Sequence, residues 1–101
     1  MALDFHRLDN HEHLFGLEDK QFEDLSEIFI EFNYRTGFSI EQYGDFKMTK
    51  ENQIAIIKII DDYIYKNDLN KNKSKTVTII EFRSFLKYFS DNNIDLLLKG
   101  D

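Results

Sequence analysis

The chain contains no cysteine, no proline and no tryptophan, and only four glycines among 101 residues. Without cysteine there is no disulfide scaffold, no thiol nucleophile and no Cys-ligated zinc or iron–sulfur centre. Gly16, Gly37, Gly44 and Gly100 are scattered, so no glycine-rich loop cradles a phosphate. No apolar run approaches the ~20 residues that span a bilayer, and Met1 to Asn10 lacks the apolar core of a signal peptide. The expectation is a cytoplasmic protein that stays off membranes. Positive charge is also in deficit, with 13 Lys+Arg against 19 Asp+Glu and a net charge of −6, which disfavours nucleic acid as a ligand. Nucleophile-elbow, H-E-x-x-H, Walker and dinucleotide motifs are all missing. The adjacent carboxylates Asp61 and Asp62 diverge by about 100° on a helix and do not converge on one substrate. The sequence thus points to no enzyme, no catalytic residue, no cofactor and no metal.

What is present is enough apolar material for one core. Apolar residues make up 42% of the chain, including ten Phe and twelve Ile, and the length suits one domain. Three stretches carry helical periodicity. Over residues 19–36, Phe22, Leu25, Phe29 and Phe32 recur at spacings of three and four with Ile28 alongside, Asp19 can charge the start, and Gly37 can end the helix. Over 50–66, after a Thr49 N-cap, Ile54, Ile56, Ile57, Ile59, Ile60, Tyr63 and Ile64 cover more than half the circumference. Over 79–90, Thr78 to Glu81 reads as a capping box, and Phe82, Phe85, Leu86 and Phe89 form the apolar face. Ala2–Leu8, Phe38–Glu41 and Ile94–Leu96 alternate briefly, which leaves room for a small β pairing. The predicted fold class is mainly α, a compact single domain with three principal helices.

Charge is unevenly distributed. Residues 1–46 carry eleven acids and three bases, whereas residues 47–101 carry eight acids and ten bases. On the first helix, Glu23, Asp24, Glu27 and Glu31 lie opposite the Phe stripe, with Ile30 and Tyr34 near the same outer side. Like charges at i, i+4 cost a few tenths of a kcal/mol per pair. Such a face is either simply solvated or a surface for a basic protein partner, with charge speeding encounter and the aromatic anchoring the complex.

Two metal readings have partial support. Asp68, Asn70 and Asn72 followed by Val77 to Phe82 resemble an EF-hand loop and its exit. Counted from Asp68, however, position six is Lys73 and position twelve is Ile79, with Glu81 two places late. His6, His11 and His13 lie close together in sequence, with Asp9 or Glu12 as a further ligand, but without established zinc spacing.

In size, charge and acidic helix face the whole chain resembles the immunity proteins of bacterial toxin systems, those of contact-dependent growth inhibition and of colicin-type nucleases. The resemblance is general and matches no diagnostic motif. It implies a module whose Glu23, Asp24, Glu27 and Glu31 mimic nucleic-acid phosphates before the active site of a cognate basic nuclease toxin, with Ile30 and Tyr34 as buried anchor. The alternatives are a calcium- or metal-linked regulatory module built on residues 68–81, and a structural or adaptor subunit that oligomerises through the second helix.

Overall fold

A computed structural model describes residues 2–100. In chain order the elements are β1 (Ala2–Arg7), β2 (His13–Glu18), α1 (Asp19–Asp24), α2 (Ser26–Thr36), β3 (Phe46–Met48), α3 (Lys50–Lys66), α4 (Lys73–Asp91) and β4 (Leu96–Lys99). The strands form one antiparallel sheet in the order β2-β1-β4-β3. This α+β architecture corrects the mainly α, three-helix expectation.

The strands alternate as a half-buried sheet should. Leu3 and Phe5 of β1, Leu17 of β2, Met48 of β3, and Leu96 and Leu98 of β4 are buried beneath the helices. On the other face Asp4 pairs across to Gly16 and Lys99, and His6 to His13 and Leu97, so that face is largely polar. The covered face meets Leu25, Ile28, Phe29 and Phe32, Ile56, Ile59 and Ile60, and Ile79, Phe82, Leu86 and Phe89 in one continuous core. Phe5, Phe15, Phe29 and Phe82 form an aromatic chain through it, with centroids 4.4 Å apart for Phe5–Phe15 and 5.8 Å for Phe29–Phe82.

Each departure from the sequence reading has a local cause. Strand β2 escaped notice because its apolar pattern is out of step: the register slips between Phe5 and His6, so Leu14 breaks the alternation that Phe15 and Leu17 keep. The hairpin before it closes through the His11 N–H to the Arg7 carbonyl (2.9 Å) and the Arg7 N–H to the Glu12 carbonyl (2.8 Å), with His11 left-handed at φ 62°. At the C-terminus the pairing run is Leu96–Lys99, later than Ile94–Leu96, while residues 38–41 pair with nothing in the sheet.

The expected first helix, 19–36, is two helices. Leu25, at φ −93° and ψ 0° with its side chain fully buried, separates α1 from α2. Gly37 ends α2 at φ 81° as expected. The second helix matches its expected bounds, with the Thr49 hydroxyl accepting the Asn52 N–H. Of its wide apolar arc, Ile56, Ile59 and Ile60 are buried in the common core, Ile57, Tyr63 and Ile64 pack partly against it, and Ile54 is exposed. The last helix starts six residues before 79. Asn72 caps it by accepting the Lys75 N–H at 3.1 Å, and Thr78 lies within it, its hydroxyl donating to the Ser74 carbonyl or to Asp24. Lys73 to Lys75 show no apolar periodicity, so composition alone reads them as loop.

Candidate functional site

Asp24, expected to face a partner, is only 4% exposed. Its carboxylate receives the Thr78 hydroxyl at 3.2 Å and pairs with Lys20, which ties α1 to α4. Burying a carboxylate is tolerable only when it is bonded this way.

On α2 the helical angles set Ile28, Phe29 and Phe32 inward and Ile30 and Tyr34 outward. Ile30 is 68% exposed and Tyr34 81%. The two flanks of that ridge differ. On one flank Glu27 pairs with Lys75 of α4 at 3.3 Å, and Glu31 pairs with Arg35 at 2.7 Å, which also reaches Asp62 of α3 at 3.2 Å. Hydrogen bonds to Glu31 and then Asp62 raise the Arg35 pKa. Burial opposes the charge on Lys75, but its bonds to Tyr63 and Glu27 outweigh that and leave its pKa raised. Glu27 thus joins α2 to α4, while Glu31 holds Arg35 within α2 beside its bond to Asp62 of α3.

The other flank is apolar. Phe22 of α1, Phe29 and Ile30 of α2, and Ile40 form a groove of about 260 Å³ edged by Ser26, Asn33, Ser39 and Glu41. The Phe22 and Phe29 rings lie 5.4 Å apart on its floor. Its far wall is the segment after Gly37, pinned along α2 because the Asn33 side-chain amide donates to the Phe38 carbonyl (3.1 Å) and the Ser39 hydroxyl oxygen (3.0 Å). The Gln42 amide donates to Asp19 and fastens the same segment to α1. Among the described residues, Glu23 and Glu41 make no ion pair. The expected face is therefore divided: Glu23, Ile30 and Tyr34 are exposed, Glu27 is exposed but engaged, Glu31 is half-buried and engaged, and Asp24 is interior. Sequence reasoning took Ser39, Ile40 and Glu41 for part of a short β segment and not for site residues. Their signal was the Phe38-Ser39-Ile40 alternation directly after a helix-ending glycine.

The metal candidates disperse. The Asp68 carboxylate accepts the Asn70 N–H at 2.9 Å, Asn72 caps α4, and Glu81 is exposed within that helix. Among the described residues no group of three or more His, Asp or Glu side chains could hold a metal ion. His6 and His13 meet edge to face at 5.1 Å on the open side of the sheet, and the His13 ring bonds Asp4 at 3.0 Å. Desolvation, then the neighbouring His13 and Lys99, lower the His6 pKa. Asp9 and Glu12 do not join them: Asp9 is held by Arg7, whose hydrogen bonds draw its pKa down to about 2. No helix among the described residues is long and apolar enough to cross a membrane.

Compared with protein-family models, with curated proteins and with solved structures, the chain matches none.

Proposed function

We propose that this chain is a small, non-catalytic, protein-binding module of the immunity type, acting in the cytoplasm to neutralise a basic nuclease toxin by covering its active site or substrate surface. The observation that carries this is the outward pair Ile30 and Tyr34, both more than two-thirds exposed on the most acidic part of the chain. Single exposed apolar residues are ordinary, but a Tyr beside an Ile on one ridge, set among carboxylates, is how a binding hot spot and its charged surround are composed. Glu23, Glu27 and Glu31 supply the field that draws a basic partner, and Tyr34 with Ile30 supplies the anchor. Asp24 plays no part at the surface, because it is buried against Thr78.

The test is capture of partners from the source organism by the tagged chain, with washes at low and high salt, followed by purification of each captured protein and assay of its nuclease activity with and without the chain. A basic nuclease that loses activity at one equivalent of the wild-type chain, and keeps it against Ile30→Ala/Tyr34→Ala, is the expected result. Capture of proteins without nuclease activity, or of a nuclease that the chain leaves active, would remove this function.

A further inference from the structure

The groove beside Ile30 has a shape and setting of its own. At about 260 Å³ it lies below the roughly 300–1,000 Å³ of pockets that enclose a small-molecule ligand. It is open along its length, apolar at the floor through Phe22, Phe29 and Ile40, and polar at the rim through Ser26, Asn33, Ser39 and Glu41. That arrangement matches a socket for one large side chain from another protein, encircled by groups that hydrogen-bond to its backbone. The socket is preformed, because Gly37, the two bonds from Asn33 and the Gln42–Asp19 bond fix its far wall without any ligand. Preorganisation of this kind removes ordering costs from association.

Charge selects what enters. Residues 19–45 hold seven acids and two bases. Both bases are occupied, Lys20 by Asp24 and Arg35 by Glu31 and Asp62. Glu41 on the rim has no ion-pair partner among the described residues, and neither does Glu23, exposed on α1 outside the groove lining. A segment that brought further carboxylates would be repelled, and a neutral one would leave this field uncompensated.

We propose that this groove is a docking socket for a single large apolar side chain carried on a lysine- or arginine-flanked segment of a protein partner. It deepens the protein-binding function above and rests on it for the claim that the partner is a protein. The two surfaces share Ile30, which lines the groove, but the outward ridge could bind through Tyr34 without anything entering it.

The probe is the pentapeptide acetyl-KRFKR-amide, titrated into the isotope-labelled full chain and followed through backbone amide shifts. Controls are acetyl-KRAKR-amide, which removes the anchor, and acetyl-EEFEE-amide, which reverses the charge. The expected result is saturable shifts confined to Ser26, Ile30, Asn33, Ser39 and Glu41, with about tenfold or more weaker binding of both controls. Ser26→Trp and Ser39→Trp each fill the groove without altering charge and should abolish binding; two positions are used in case one variant does not fold. Glu23→Gln/Glu41→Gln should weaken the peptide several-fold and flatten its salt dependence. Equal binding of the alanine control, shifts centred on Glu27 and Glu31, unchanged binding to a folded groove-filling variant, or no saturation at millimolar peptide would each overturn the socket. The two proposals fail separately. Peptide in the groove with no nuclease captured leaves the socket and removes the inhibitor. A nuclease inhibited equally well by Ser26→Trp and Ser39→Trp does the reverse.

Discussion

The two flanks of α2 are built from the same short sequence and have opposite characters. Toward α3 and α4, Glu27 and Glu31 meet Lys75, Arg35 and, through Arg35, Asp62. Toward α1 and the segment after Gly37, Phe22, Phe29 and Ile40 face one another across an open apolar groove. Ile30 and Tyr34 stand between. Helical spacing sorts residues onto flanks, but it does not say what each flank meets. Lys75 lies 48 positions from Glu27 and Asp62 27 positions from Arg35. Those distant residues make one flank a joint of the fold and leave the other for something outside it.

The comparison breaks most forcefully at the floor of the groove. Phe29 belongs to both worlds, since it lines the groove and also meets Phe82 edge to face at 5.8 Å in the core. Phe29→Ala should cost about 3–5 kcal/mol in urea unfolding, the usual penalty for emptying a buried aromatic site. A loss below about 1 kcal/mol would show that the floor is surface and that the core does not depend on it.

Asp24 comes next. If it serves the fold, Asp24→Ala removes the acceptor for Thr78 and the partner of Lys20 and should cost about 1–3 kcal/mol in the same experiment. Asp24→Asn, which keeps an oxygen for Thr78, should recover part of that loss. Partner affinity should hold in whatever fraction stays folded. Unchanged stability with lost capture would return Asp24 to the surface, where sequence spacing put it.

That reversal shows where the sequence is readable and where it is not. Helix α3 was legible to the residue because its apolar repeat, its Thr49 cap and its length all agree. The outward positions of Ile30 and Tyr34 were legible because they depend on α2 alone. The Leu25 break was not, since no Gly or Pro marks it, and neither was the burial of Asp24, which is bonded to a threonine 54 positions away. The sheet was legible only at β1, for a related reason. Its strands are only three to six residues long, β2 carries a register slip, and β4 is a run of leucines with no alternation to read. The groove needed both kinds of information, a helix face from local sequence and a wall, residues 38–41, placed by bonds from Asn33.

On the ridge itself, stability and binding should separate. Ile30→Ala and Tyr34→Ala should each change unfolding free energy by no more than about 0.5 kcal/mol, as exposed substitutions usually do. Each should weaken the captured partner about tenfold or more by titration calorimetry, as loss of an interface anchor does. Binding that survives both changes would move the interface off α2.

The smallest effect tests the ionic flank. A double-mutant cycle on Glu27→Gln and Lys75→Gln should give a coupling of about 0.2–1 kcal/mol, since exposed pairs rarely exceed that. It should shrink as salt is raised, because the pair sits where ions can screen it. Lys75 also lies 5.7 Å from the centre of the Tyr63 ring, so Lys75→Gln alone loses more than the pair, and only the cycle isolates the bond to Glu27. Glu23→Gln, with no ion pair to lose among the described residues, should leave stability unchanged and serves as the control across the ridge. A coupling indistinguishable from zero at low salt would mean that Glu27 is as free as Glu23. The two flanks would then differ in shape alone, and the whole acidic face, not only its groove side, would be open to a basic partner.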